Sequence, residues 1–191
     1  LQNLVALSGA AAEHLSEYKG DLYLYPLEKL SESAAKSLSR HKGELSLNGI
    51  KELSNPAAEA LSTHEGGLSF NSLTTLSDEA AMSLANHVGN LCINDGSCGQ
   101  QALKGVSDTA AESLSKHQGY LNLDGLTELG NAPSISNHQG AISLLGLIEI
   151  SDSAAESLSK HQGDLWLNVG LWGTGPQKKT KLSEAAVKSL S

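Results

Sequence analysis

Aromatic residues are scarce in this 191-residue chain: one Phe, two Trp and four Tyr make up 4% of it. A core of ordinary size therefore has to be built mainly from Leu and Ala. Two cysteines, Cys92 and Cys98, are too few for a disulfide-dense scaffold. No apolar run approaches the roughly 18 residues that a membrane-spanning helix needs. We therefore expect no membrane span in this segment.

Basic residues are also few, since 13 Lys and Arg face 21 Asp and Glu and the formal net charge is -8. Binding to a phosphate backbone requires clustered Lys and Arg, so a nucleic-acid partner is not expected. The sequence has no Gly-rich phosphate loop and no Cys-x-x-Cys pair. Ser, His and acidic residues recur throughout the chain, which argues against one singular catalytic geometry. We expect no enzymatic activity and no cofactor.

A His-x-Gly tripeptide recurs along the chain and reveals an internal repeat. Tyr18, His41, His64 and His87 follow one another at equal steps of 23, and later steps are 30, 21 and 23. The histidines of this column are His41, His64, His87, His117, His138 and His161. A period of 23 is too short for arrays of helix pairs.

Each unit contains a strand pattern followed by a helix pattern. Alternation such as Leu45-Ser46-Leu47 predicts short parallel strands over 22–24, 45–47, 68–70, 91–93, 121–123, 142–144 and 165–167. Leu24, Leu47 and Leu123 should be buried, whereas Tyr23, Ser46 and Asn122 should be exposed. Ser77 is predicted to cap a helix at its N-terminus, and Gly89 to form a left-handed C-terminal cap.

The unit Leu-x-Leu-Asn-Gly-Leu-x-x-Leu-Ser-Asp-x-Ala-Ala-Glu-x-Leu-x-x-His-x-Gly resembles those of bacterial leucine-rich repeat arrays. The resemblance covers nearly the whole chain. It implies an α/β fold, a curved right-handed solenoid with a parallel sheet on the concave face and short helices on the convex face. It also implies a non-enzymatic scaffold for recognition of another protein or a cell-surface ligand. A secreted or cell-surface location is favoured over a cytoplasmic one, and a structural spacer array is the alternative function.

We expect residues 1–191 to form one array of about eight units that is truncated at both ends. Leu1 aligns with Leu47, inside a strand, and residues 183–191 align with 151–159, inside a helix. Inserts near 95–102 and 169–180 interrupt the repeat, and insertions in repeat proteins often lie on the binding face. Trp172, in the second insert, is the predicted anchor for a partner.

The outward strand positions and their neighbours predict a polar, mildly acidic recognition surface with aromatic residues toward both ends. Our candidate partner-binding residues are Tyr23, Tyr25, Tyr120, Asn122, Asp124, Trp166 and Trp172. The same face includes Ser46, Ser69, Cys92 and Ser143, together with the Asn residues that follow the strands.

Two side-chain sets allow a functional and a structural interpretation. The histidine column could bind metal or sense pH, or it could be half-buried structure with ring nitrogens bonded to backbone carbonyls. We favour the structural interpretation, because side chains on adjacent helices should repeat at about 8–10 Å, too far apart to share one ion. Cys92 and Cys98 could form a disulfide or remain free thiols, and the sequence does not decide between these.

Overall fold

The chain folds as a repeat solenoid in which short parallel strands alternate with helices. The computed structural model describes residues 5–95, 103–129 and 133–168, together with Lys188. Seven strands form one open sheet in chain order: β1 Leu22–Tyr23, β2 Leu45–Ser46, β3 Leu68–Ser69, β4 Leu91–Cys92, β5 Leu121–Asn122, β6 Ile142–Leu144 and β7 Leu165–Leu167. The predicted α/β class and single parallel sheet are confirmed.

Six α-helices lie in the described ranges, and consecutive helices from α1 to α5 pack against one another. They are α1 Gly9–Ser16, α2 Glu32–Leu38, α3 Asn55–Leu61, α4 Asp78–Leu84, α5 Asp108–Leu114 and α6 Asp152–Leu158. None of them combines the length and the apolarity that crossing a bilayer requires.

The register of the sheet follows the sequence repeat and is kept even where a unit is longer or shorter than the others. Leu45 pairs with Leu68, the equivalent position one regular repeat further along the chain. Leu91 pairs with Leu121 across a longer unit, so the additional length of that unit does not change the register of the sheet. In the short unit that follows, a 3-10 helix at Pro133–Asn137 takes the place of the α-helix. The segment Asn-Ala-Pro-Ser stands there in place of the Ala-Ala-Glu of the regular units.

Aliphatic residues from both halves of each unit form one continuous core. Leu24, Leu47 and Leu123 are at most 1% exposed, as predicted, and Phe70, the single Phe, is fully buried. The alanine pairs of α2 to α6 are also buried, which lets these helices pack closely on the sheet. Each side chain is covered mainly by the preceding and following units.

Serine caps begin the helices, as the pattern predicted for α4. The Ser77 hydroxyl accepts a hydrogen bond from the Ala80 backbone N–H at 3.1 Å. Ser54 occupies the same position before α3 but makes no side-chain cap bond. Cap bonds satisfy backbone donors that the first turn of a helix leaves without partners.

Replacing Ser77 and Ser54 by alanine should show how much of the stability comes from the cap hydrogen bond and how much from the hydroxyl group itself. We expect Ser77→Ala to lower the free energy of unfolding by about 1 kcal/mol, because the Ala80 N–H loses its acceptor. Ser54→Ala should change it by at most a few tenths of a kcal/mol, roughly the usual effect of a surface substitution. Urea denaturation measures both. Equal losses in the two variants would contradict the assignment.

Gly89 does not cap its helix, so this prediction was wrong. Helix α4 ends at Leu84, and Ala85 is its C-cap in a right-handed conformation. Gly89 has φ +136°, and a Cβ on it would lie 2.8 Å from the Gly66 carbonyl oxygen. At Gly119 the corresponding distance, to the Gly89 oxygen, is 1.9 Å. Glycine recurs here because the backbones of consecutive units approach too closely for a side chain.

Two serines predicted to be exposed on the concave face are buried. Ser46 is 4% exposed and Ser143 is 2% exposed, whereas Tyr23 is 54% exposed. Strands lie only about 4.8 Å apart in a sheet. A small side chain is therefore shielded by larger side chains on neighbouring strands, even when it points outward. Asn122, also predicted to be exposed, is only partly so.

Candidate functional site

Two exposed tyrosines form the first aromatic group on the concave face. Tyr23 lies on β1 and Tyr25 follows two residues later, on the same side of the chain. Their rings stack with centroids 5.7 Å apart and an interplanar angle of 20°. Both are more than half exposed. The sequence predicted both as partner-binding residues, and the structure places them together.

A second aromatic group lies four strands away along the sheet. Tyr120, just before β5, contacts Trp166 on β7 edge to face, with ring centroids 5.5 Å apart. The Asn122 amide donates to the Tyr120 hydroxyl and to Asp124 Oδ2, both at 3.2 Å. At about 4.8 Å per strand, the two aromatic groups are about 19 Å apart. Six of the predicted binding residues therefore form two separate groups, not one patch.

Asp124 has a structural function within the second group. Its Oδ1 accepts hydrogen bonds from the Ser143 hydroxyl and, at 2.8 Å, from the Leu145 backbone N–H. Asn48 does the same earlier in the array, where its Oδ1 accepts from the Asn71 N–H at 3.0 Å. These side chains after the strands link consecutive units. Asn94, predicted on the recognition surface, is 1% exposed and donates to the Leu103 carbonyl, so its assignment to that surface was wrong.

A small cavity lies beside the two tyrosines. Its volume is about 230 Å³, and its lining includes Glu44, Ser46, Asn71, Cys92 and Asp95. The Asn71 amide donates to Asp95, and its oxygen accepts from the Cys92 thiol at 3.3 Å. The Ser46 hydroxyl is buried and has no hydrogen-bond partner among the residues that the structure describes. The sequence located Ser46 on this face but could not show that its hydroxyl is enclosed and unsatisfied.

The electrostatic potential around this cavity is negative. Asp21, which accepts a hydrogen bond from the Tyr23 hydroxyl, raises the pKa of that tyrosine, and burial, Tyr25 and Glu44 raise it further. Burial, followed by the charges of Asp95 and Asp124, raises the pKa of the Cys92 thiol to about 12. Cys92 is therefore a protonated thiol at neutral pH. Cys92 is a free thiol in the structure. Whether it forms a disulfide with Cys98 stays open, because Cys98 lies outside the described residues.

The histidine column is the second candidate site, and its geometry differs from our expectation. The six rings stack almost parallel, with neighbouring centroids 6.0–6.2 Å apart. This is closer than the spacing of packed helices, about 8–10 Å, that we expected. The first five rings are at most 2% exposed, not half-buried. Each histidine lies beyond the end of its helix and close to the next strand, so the spacing lies between that of strands and that of packed helices. Consecutive units are therefore farther apart at the histidines than at the strands. The array curves toward its more closely spaced side, so the sheet lies on the concave face.

Few of the stacked imidazole nitrogens are hydrogen-bonded. His117 Nε2 lies 3.0 Å from the Gly89 carbonyl oxygen, and His161 Nδ1 lies 3.3 Å from that of Ser136. Among the described residues, His41, His64, His87 and His138 make no nitrogen contact of comparable geometry. Backbone groups near His64, His87 and His138, such as those of Gly43 and Gly119, still partly offset the effect of burial on their pKa values. Burial is the main cause that lowers the pKa of His64, His117 and His138, and it lowers that of His87 to about 4. These four rings are neutral at physiological pH.

The stacked rings do not converge on a point where an ion could bind. Two nitrogens that share one zinc ion lie at most about 4 Å apart, whereas parallel rings with centroids 6.0 Å apart direct their lone pairs side by side. In the parts of the chain that the structure describes, no group of three or more His, Cys, Asp or Glu residues could hold a metal ion. The ring spacing argues against one shared ion, whereas the full burial and the few nitrogen contacts differ from the half-buried, carbonyl-bonded column that we expected.

The predicted anchor Trp172 and both inserts, apart from Asp95, lie outside the described residues. A larger groove of about 550 Å³ lies near the N-termini of α3 and α4 and is lined by residues of both charges, including Lys29, Lys51 and Glu52. None of its lining residues in the described ranges is aromatic. The concave face is therefore the better candidate among the described surfaces.

Comparison with known proteins assigns no family to this chain. No protein-family model matches the sequence, and no curated protein matches it significantly.

Proposed function

We propose that this chain is a leucine-rich repeat solenoid that recognises another protein through its concave face and catalyses no reaction. The observation that carries the proposal is the exposure of aromatic side chains on that face. Tyr23, Tyr25 and Trp166 are 44–55% exposed there. Burial of such rings in a partner would gain free energy, and Tyr and Trp dominate the energetics of protein interfaces.

The convex face has the character of a solvated surface. Its helices carry exposed ion pairs at i, i+4 spacing, such as Lys116 with Glu112 and Lys160 with Glu156. Pairs of this kind add only about 0.3–0.5 kcal/mol each and keep a helix surface soluble. The contrast between the two faces supports recognition by the sheet.

Selection from a random peptide library against the intact chain tests this proposal. Tyr23→Ala and Trp166→Ala should each weaken the selected peptides by about tenfold or more, since truncation of an aromatic anchor costs about 1–2 kcal/mol or more. Tyr18→Ala is the matched control, because Tyr18 is 58% exposed but lies at the end of α1, off the sheet. It should change affinity by less than about twofold.

Fluorescence anisotropy of the selected peptides gives the dissociation constants. If selection yields no peptide that depends on Tyr23 or Trp166 more than on Tyr18, the concave face is not a recognition surface. The structural spacer array would then be the better description of the chain.

A further inference from the structure

We propose that the concave face binds an extended basic segment of the partner protein, which crosses the strands and places a lysine or arginine side chain at each end of the sheet. This inference rests on the proposed function and specifies the chemistry of the partner. It is carried by the sign of the charges on the sheet face, by a ring and a carboxylate at each of its ends, and by the low surface between them.

The charges of the concave face are all of one sign. Its charged residues are Asp21, Glu44, Asp124 and Asp164, and its seven strand segments contain no Lys or Arg. These segments are 21–25, 44–48, 67–71, 90–94, 120–124, 141–145 and 164–168. Complementary charges across an interface favour a basic partner over a neutral or an acidic one.

Two of these carboxylates, Glu44 and Asp164, are exposed and available to a partner. The ion pairs found in the described parts of the chain involve neither of them. Lys42, two residues before Glu44, pairs with Glu65 at 2.7 Å instead. Asp21 accepts a hydrogen bond from the Glu44 backbone N–H at 3.1 Å, and a neutral donor leaves its negative charge in place. The face therefore carries charge that a basic segment would neutralise.

Each end of the face combines an aromatic ring with a carboxylate. Asp21 precedes Tyr23 by two residues, and Asp164 precedes Trp166 by two, so each pair lies on the same side of the chain. The two rings are 54% and 44% exposed. An ammonium or guanidinium group is attracted to the face of such a ring and to the carboxylate beside it. Each end is thus suited to one cationic side chain.

The surface between the two ends is low and long. The outward strand positions there are short or medium-sized side chains, namely Ser46, Ser69, Cys92, Asn122 and Ser143. Tyr23 on β1 and Trp166 on β7 are six strands apart, which is about 29 Å at the usual strand spacing. Extended chain rises about 3.3 Å per residue, so about nine residues span this distance. One extended segment therefore reaches both ends.

Three labelled eleven-residue peptides test the inference on the intact chain. The first has two arginines at each end of a Gly/Ser spacer, the second has the same four arginines at one end, and the third replaces arginine in the first by the neutral citrulline. At low salt we expect the first peptide to bind about tenfold more tightly than the third. It should bind about threefold more tightly than the second, which has equal charge but reaches only one end. Fluorescence anisotropy gives the dissociation constants. Equal binding of the first and third peptides, or of the first and second, would overturn the inference.

Charge-removing variants locate the binding site. Glu44→Gln and Asp164→Asn should each weaken the first peptide by about threefold, since each removes a charge beside one end. Glu79→Gln is the matched control, because it removes the same charge from an exposed position on α4, and it should change affinity by less than about 1.5-fold. Equal losses in all three variants would show attraction to the net charge of the chain and not to the concave face.

The library peptides separate this inference from the proposed function. Peptides that depend on Tyr23 or Trp166 should be enriched in Lys and Arg and should bind Glu44→Gln or Asp164→Asn more weakly. If they depend on these rings, contain no excess of basic residues and bind both variants normally, this inference fails while the proposed function stands.

Discussion

Lowering the pH from 7 to 4 is expected to destabilise the protein strongly through its histidine stack. The pKa of His87 falls from 6.5 to about 4 because the ring is buried and lies between His117 and His64. The unfolded chain therefore binds a proton at a pH where the folded chain does not. At about 1.4 kcal/mol per pK unit, His87 alone contributes about 3 kcal/mol. This contribution is fully present above pH 6.5 and is lost as the pH falls toward 4.

Three further rings extend this effect. Burial lowers the pKa of His64, His117 and His138 in the same direction. Since single domains have a total stability of only about 5–15 kcal/mol, the combined loss should unfold the array in mild acid. The ion pairs found in the described parts of the chain are exposed at the surface and contribute little to this pH dependence.

Urea denaturation at pH 7, 6 and 5 measures the effect, and His87→Gln tests its origin. This variant removes one titrating group from the stack, so the difference in unfolding free energy between pH 7 and pH 5 should shrink, whatever its absolute stability. His14→Gln is the matched control, because His14 is exposed and does not belong to the stack. If the pH dependence of His87→Gln equals that of the unmodified chain, the stack is not its source.

Gly119→Ala should be among the most damaging single-methyl changes in the chain. Its Cβ would lie 1.9 Å from the Gly89 carbonyl oxygen, a distance that no side-chain rotation can relieve because the oxygen belongs to the backbone. The two units would have to separate, which disturbs the strand pairing between β4 and β5. We expect the free energy of unfolding to fall by about 3 kcal/mol or more.

Gly105→Ala is the control for this substitution. An added Cβ there has only the Glu128 carbonyl oxygen nearby, at 3.8 Å, an ordinary van der Waals distance. Alanine also reduces the conformational freedom of the unfolded chain, so this variant should be neutral or up to about 1 kcal/mol more stable. Thermal and urea unfolding of both variants provide the comparison. Similar losses at Gly119 and Gly105 would show that unit-to-unit contact does not explain the recurrent glycine.

The fold followed from local pattern because each unit repeats the same hydrophobic spacing. Alternation at Leu45-Ser46-Leu47 predicted β2, and the regular step from one repeat to the next predicted its pairing with β3. Ser77 predicted the start of α4 through the hydrogen bond that a serine can offer to the first turn. Alternation and helix capping depend only on residues that are close together in the chain, so they can be recognised from one sequence.

The candidate site could be predicted only in part. The outward positions of strands identified Tyr23, Tyr25 and Trp166 as surface residues, and all three are exposed. The rule that outward strand positions are exposed was wrong for Ser46 and Ser143. Alternation gives the direction of a side chain, but not the size of the side chains that surround it on neighbouring strands. Nothing in the local pattern shows that the Ser46 hydroxyl lacks a partner, since its possible partners lie one repeat away or more.

Local patterns in the chain therefore specified the repeating unit, the strand register, the capped helices and the aliphatic core. The stacking of the units set four further features: the 6.0–6.2 Å spacing of the histidine rings, the contact that demands Gly119, the separation of the aromatic residues into two groups and the enclosed hydroxyl of Ser46. The physical reason is distance along the chain. Side chains that lie a whole repeat apart meet only when units stack, and the stacking distance is a compromise between closely spaced strands and more widely spaced helices.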